Sequence, residues 1–279
     1  MGQAMLWDGN VHKSARAAGA ADKHADAPAK KNNLVRKTFS ILRAFQHPDE
    51  WLTSQELSKR AHMPKASGHR LVQTLEEVGA IVRGPHGRYR LGMLLLSLSK
   101  NVASKELLCE MGTPVLNDLA ARLNLTVHLG MLENGMVFYV KKVSTPTSFP
   151  SHTLAGSHLE AYCSGLGKVL LAALHEDELE SFILDGDLVA LTPNTITERG
   201  VLRLELEKVR RQGFAFDDCE SRADTYCVAV PLHDMDGNVV AAISVTGDAQ
   251  SMTRERIPAV CDELMEAASR IRKRLCPGG

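Results

Sequence analysis

Two short amphipathic helices followed within a few residues by a basic hairpin leave little choice of architecture, and residues 34–92 carry that order. Leu34, Val35, Phe39, Ile41, Leu42 and Phe45 recur at helical spacing and predict a helix that stops at His47-Pro48-Asp49. After the short extended stretch Trp51-Leu52, Thr53-Ser54-Gln55-Glu56 has the spacing of a capping box, with Thr53 as N-cap. The helix it opens carries Leu57 and Ala61 and ends near His62-Met63. Pro64 suits the first turn of a further helix that runs to Glu77 and stops at Gly79. Its apolar face is Leu71, Val72, Leu75 and Val78, and the opposite face of its N-terminal half carries Lys65, Ser67, His69 and Arg70. A helix, a tight turn and a second helix with basic groups at its start predict a helix-turn-helix. Residues 80–92 then read as two short strands around Gly84-Pro85-His86-Gly87, with Arg83, Arg88 and Arg90 near the tip. Such a wing brings arginines to phosphate or to the minor groove. A helical bundle with a solvated basic face is the plainer alternative.

Charge separates this stretch from the rest. Residues 34–100 hold eleven Lys/Arg against five Asp/Glu, a net +6, whereas residues 101–279 hold 17 against 25, a net −8. The chain average of zero conceals a basic module that favours a polyanion and an acidic module with another task. A composition of 44% hydrophobic and 24% charged residues is that of a globular protein. The longest apolar run, Met93 to Leu98, is far short of the roughly 18 residues of a membrane span. The segment Met1-Gly2-Gln3-Ala4-Met5-Leu6-Trp7 lacks the basic and apolar regions of a secretory signal, so a cytoplasmic location is expected. Six cysteines without CxxC spacing read as free thiols, and His152, His158 and Cys163 match no metal-ligand spacing. No motif calls for a metal or a cofactor.

The expected organisation is a disordered extension over 1–33, a DNA-binding domain over 34–92, a linker helix over 93–110 and a second domain over 111–276. In the second domain a helix is expected from Pro114 to Leu123, and strands over 126–133 and 136–143 flank the hairpin signal Asn134-Gly135. Residues 144–158, rich in Ser, Thr, Pro and His, read as a loop or cover. Helices follow from Ser164-Gly165-Leu166-Gly167-Lys168, over 176–184 and over 197–212. Strands over 226–232 and 239–246 and a C-terminal helix over 253–275 complete an α+β class with helices on the faces of a sheet.

Pro64-Lys65, His69-Arg70-Leu71-Val72-Gln73-Thr74-Leu75 and Gly87-Arg88-Tyr89-Arg90-Leu91-Gly92 resemble the IclR family of bacterial transcriptional regulators. The second domain resembles it more specifically, through Gly213-x3-Asp217-x2-Glu220-x6-Cys227-Val228-Ala229-x2-Leu232-His233-Asp234, and the likeness covers residues 34 to about 275. One departure is Ala66-Ser67-Gly68, where the family usually has a Ser-Thr-like pair and then an apolar residue. The resemblance implies a winged helix-turn-helix joined by a helix to a GAF-like mixed α/β effector domain. The helix-turn-helix and its wing predict DNA contacts from Thr53, Lys65, Ser67, Gly68, His69, Arg70, Arg83, Arg88 and Arg90. The resemblance implies effector contacts from Gly165, Leu166, Asp217, Cys227, Ser244 and Thr246, the last often Ser in the family. The implied partners are promoter DNA, a small carboxylate or aromatic acid, further copies of the chain as a dimer or dimer of dimers, and RNA polymerase for an activator.

The residues themselves fit that use. Ser164 to Gly167 open a helix whose first N–H groups suit a carboxylate, and Ser244 and Thr246, two apart on a strand, face one side. Asp217 reads equally as a structural carboxylate, Cys227 as a small core side chain, and His128, Leu129, Met131 and Leu154 as pocket lining or plain core. The Gly165-Leu166-Gly167-Lys168 run lacks the spacing of a P-loop. Two rival readings stay open: a hydrolase built on Cys163, a histidine and Asp217, and a DNA-binding protein whose second domain only oligomerises.

Overall fold

The computed structural model describes residues 33–47 and 49–277, and the chain parts into two compact units between Val102 and Ala103. The expected extension lies outside the described residues except for Asn33, which opens the first helix, and Pro48 of the expected helix stop also lies outside them.

The first unit runs α1 (Asn33–Leu42), β1 (Leu52–Thr53), α2 (Ser54–Arg60), α3 (Lys65–Glu77), β2 (Ile81–Arg83), a 3-10 turn (Pro85–Gly87), β3 (Arg88–Leu91) and α4 (Met93–Ser99). The capping box forms: the Thr53 N–H donates to Glu56 Oε2 at 2.7 Å, and the Glu56 N–H donates to Thr53 Oγ1 at 3.2 Å. His62, in the left-handed region at φ 51°, follows α2 in the turn that leads to α3. The three strands pair antiparallel in the order β1-β3-β2. Ile41, Leu57, Leu71, Val72, Leu75, Ile81 and Tyr89 form the core of this winged helix-turn-helix. Val78, expected on the apolar face of α3, follows the last helical residue and is 55% exposed.

The second unit runs α5 (Ser104–Leu123), β4 (Thr126–Glu133), β5 (Met136–Val143), β6 (His158–Glu160), α6 (Gly165–Ala172), α7 (Glu176–Asp185), α8 (Arg199–Gln212), β7 (Ala215–Asp218), β8 (Tyr226–His233), β9 (Val239–Gly247) and α9 (Ile257–Leu275). The linker reading is corrected here. Instead of one helix over 93–110 and another from Pro114, α4 ends at Ser99 and α5 runs from Ser104 through Pro114. Proline removes the bond to the carbonyl four residues back. Pro114 and Glu110 are both exposed, so water replaces the lost donor and the helix continues.

The sheet is antiparallel throughout, in the order β6-β5-β4-β9-β8-β7. The β4–β5 hairpin turns at Asn134 and Gly135, both at positive φ as a type I′ turn requires. One face buries Val127, Leu129, Val228, Val245 and Ile243 with side chains of α5 and α9; another core gathers Ala229 and Ala242 with side chains of α6, α7 and α8. No helix among the described residues is long and apolar enough to cross a membrane.

Candidate functional site

Strand register assembles the site. Asp217 on β7, Cys227 on β8, Thr246 on β9 and Thr126 on β4 stand opposite one another across four strands. Two residues along, Ala229, Ser244, His128 and Lys142 form a second row on the same face. The row between them, Val228, Val245, Val127 and Val143, faces the α5–α9 core. Alternation therefore sends polar side chains to one side of a sheet whose other side is sealed.

A cavity of about 330 Å³ opens there. Asp217, Cys227, Ser244, Thr246 and His128 line it from the strands, with Tyr139 beside them and Ser164 at the start of α6. The loop before β6 adds Ser151, His152, Thr153 and Ser157, β6 adds His158 and Leu159, and the segment before β8 adds Ser221, Arg222 and Thr225. The loop is tied to the sheet through Lys142 Nζ, which donates to the Ser151 carbonyl at 2.5 Å, and Thr126 Oγ1, which donates to the Phe149 carbonyl at 2.9 Å.

Burial sets the protonation of this cavity. Asp217 is pushed up to about 7 by burial, against the pull of the Glu220 N–H that donates to its Oδ1 at 2.7 Å. Its Oδ2 accepts from the Ser221 hydroxyl at 3.0 Å. His128 is held down to about 3 by burial, with the charge of Lys142 adding to the effect, and is neutral near pH 7. Its Nε2 lies 3.3 Å from Ser151 Oγ and its Nδ1 3.5 Å from Thr246 Oγ1, while its ring meets Tyr139 edge-on. Burial pushes the Cys227 thiol up to about 12, and the Asp217 charge adds to that. Ser244 Oγ is fully buried and has no close hydrogen bond among the described residues, the weakly bonding Cys227 thiol beside it apart. A buried hydroxyl without a close partner is unfavourable and rare, so this one is open to a ligand.

Of the effector residues expected, Asp217, Cys227, Ser244 and Thr246 come together on the cavity and Gly165 and Leu166 do not line it. Gly165 backs the site, since a Cβ there would stand 3.0 Å from Cys227 Sγ, and Leu166 lies in the α6–α8 core. The start of α6 is partly filled by its own cap, because Ser164 Oγ accepts the Gly167 N–H at 3.1 Å. His128 does line the cavity, whereas Leu129 and Met131 belong to the α5–α9 core and Leu154 is exposed. The lining from the loop, β6 and residues 221–225 carried no sequence periodicity to reveal it. Lys168 was also missed: buried on α6, its Nζ donates to the Phe216 carbonyl at 2.6 Å and to Glu220 Oε1, fixing the chain on both sides of Asp217.

The first unit sorts its basic residues with equal clarity. Lys65, His69 and Arg70 are exposed at the start of α3, with Ser67 half-buried among them. Gly68 is buried, and a Cβ there would stand 2.0 Å from Ser58 Oγ. Its bare backbone therefore admits α2. Thr53 spends both donors on Glu56, since its N–H and its hydroxyl each reach Glu56 Oε2. On the wing, Arg88 and Arg90 share one face of β3, while Arg83, paired with buried Tyr89, takes the other. Trp51, not singled out in the sequence, lies under the wing tip. The Arg90 guanidinium stands 5.2 Å from its ring centroid, and only a glycine fits at position 84 against that ring.

Residues 34–85 match the IclR helix-turn-helix domain, and residues 100–273 match the bacterial transcriptional regulator IclR C-terminal domain. The HTH-type transcriptional regulator KipR of Bacillus subtilis is 28% identical over 245 residues, which cover 88% of this chain and 98% of KipR. The crystal structure of the Thermotoga maritima IclR is similar with a TM-score of 0.58 at 31% identity, covering 87% of this chain and 98% of that one. An IclR homologue from Microbacterium hydrocarbonoxydans, solved complexed with 4-hydroxybenzoate, has a TM-score of 0.59 at 24% identity and covers 88% of this chain and 100% of its own. At that identity the likeness is one of fold. The relatives carry the names of transcriptional regulators, not of enzymes.

Proposed function

The chain belongs to the IclR family of bacterial transcriptional regulators, and from that premise we propose that it controls a catabolic operon in response to a small organic acid bound in the second unit's cavity. Lys65, Ser67, His69 and Arg70 at the start of α3 enter the major groove, and the wing arginines hold phosphate or the minor groove. Two copies read two half-sites of a near-palindromic element, as a dimer or a dimer of dimers. Exposed Leu34, Val35 and Phe39 on α1 and Met93, Leu96 and Leu98 on α4 support such self-association. The acid shifts the balance between two arrangements with different affinity for DNA, and an activator would in addition touch RNA polymerase.

The observation that carries the acid-sensing reading is the buried Ser244 hydroxyl, left with no close hydrogen bond but the weak Cys227 thiol, in a polar cavity beside Asp217. A domain that only oligomerised would gain nothing from a buried hydroxyl left open. A cysteine hydrolase is disfavoured because Cys163 is pushed up to about 12 by burial, the reverse of what a thiolate nucleophile needs.

The test is binding of the purified protein to DNA upstream of its own gene and neighbouring operon, against unrelated DNA, at several salt concentrations. A specific complex that survives moderate salt and weakens in Arg70→Ala supports the reading. Equal, salt-labile binding to every fragment would reduce the first unit to electrostatic attraction and overturn it.

A further inference from the structure

We infer that the cavity takes a short polyhydroxylated carboxylic acid of the aldonate type, with its hydroxyls on the floor and its carboxylate at the rim, and does not take an aromatic acid. This rests on the acid-sensing reading above and narrows it.

The lining is the first ground. Eight of the sixteen side chains around the cavity are Ser or Thr, and Leu159 is the one aliphatic among them. Ligand pockets in general are lined mostly by apolar and aromatic side chains with a few placed polar groups. Here most of the side chains are polar, although their carbon atoms still form the larger part of the cavity wall. An aromatic ring seated against these hydroxyls would leave them dry and unpaired, at a cost for each. A ligand that carries a hydroxyl on almost every carbon pairs them instead. At about 330 Å³ the cavity is at the small end of ligand sites, about 300–1,000 Å³, which suits a chain of five or six carbons.

Floor chemistry is the second ground. Ser244 Oγ has no close partner but the weak Cys227 thiol, and Asp217 has used one acceptor position on each oxygen, leaving lone pairs for a ligand O–H. Beside them Thr246 and neutral His128 meet only at 3.5 Å, a spacing that a ligand hydroxyl improves. No cation serves the floor: Lys168 is bound to Glu220 and the Phe216 carbonyl, and Lys142 to the Ser151 carbonyl. A carboxylate placed there would find no cation to pair with. The one Lys or Arg that lines the cavity is Arg222, exposed at the rim with its Nε 3.3 Å from Asp224 Oδ1. The acid group therefore belongs at the rim.

The experiment is calorimetric titration and thermal melting of the full chain with gluconate, galactonate, xylonate, arabinonate, the neutral polyol xylitol, benzoate and 4-hydroxybenzoate. At least one aldonate should raise Tm and bind tenfold or more tighter than xylitol and both benzoates. Ser244→Ala should weaken that aldonate about tenfold with an unchanged ligand-free melt. Arg222→Gln, an exposed change that leaves the core intact, should weaken the aldonate and leave xylitol unaffected. Tighter binding of a benzoate, lost in Ser244→Ala, would overturn the aldonate assignment and leave the acid-sensing reading standing. No binding by any of the acids would overturn both.

Discussion

Gly68 and Asp217 show how a single residue's role follows from its surroundings more than from its type. Gly68 costs α3 about 1 kcal/mol of helix propensity relative to Ala. Yet Gly68→Ala is expected to destabilise the first unit by about 1–3 kcal/mol, because the new Cβ would collide with Ser58. Ser58→Gly in the same chain should recover most of the loss in a denaturant melt. A stabilised single variant would show that α2 and α3 are not so close. Asp217 and His128 oppose each other in pH. In the fold Asp217 keeps its proton up to about 7, against 3.8 for an ordinary Asp, so its contribution to stability falls as pH rises through that window. His128 stays neutral down to about 3, against 6.5 for an ordinary His, so its contribution rises over the same range. Asp217→Asn removes the falling part. Between pH 4.5 and 6.5 the variant's unfolding free energy should climb relative to the parent by up to about 1.4 kcal/mol per pH unit. Parallel pH profiles in urea melts would mean that Asp217 titrates normally.

At the scale of elements, the chain on either side of Asp217 is held from below by α6. Lys168 ties α6 to the Phe216 carbonyl and to Glu220, and the Thr195 hydroxyl donates to the Glu220 carbonyl at 2.6 Å. Lys168→Met leaves Glu220 buried without its cation, and is expected to cost about 3–5 kcal/mol. Adding Glu220→Gln should restore part of it, and an additive double variant in thermal melts would contradict the pairing. These elements differ in how far the sequence announces them. The Thr53–Glu56 cap and the Asn134-Gly135 turn are local, and local chemistry dictates them. The Ser244 and Thr246 hydroxyls follow from strand alternation, also local. Pro114 misleads because its effect depends on whether the freed carbonyl meets water, which the fold decides. Gly165, Leu166 and Gly68 are placed by packing, and motif position does not say which way a backbone faces in the packed structure. The cavity's loop lining has no periodic pattern and emerges only when the loop crosses the sheet.

For the whole molecule, the split of charge between a +6 stretch and a −8 remainder matches a division of labour. The basic unit meets a polyanion; the acidic unit holds a small polar site. Light scattering on the full chain should give twice or four times its mass of 30.4 kDa, and Phe39→Asp combined with Leu96→Asp should lower it. A monomer in the parent would contradict the two-half-site arrangement. The most direct measurement of the central claim, that an acid in one unit governs DNA binding by the other, is the thermodynamic coupling between them. The acid found by titration should change the Kd for the upstream DNA by about 5–150-fold, and that DNA should change the acid's Kd by the same factor. Ser244→Ala with Thr246→Ala should abolish the coupling and leave DNA binding intact. A DNA affinity indifferent to the bound acid would contradict the account.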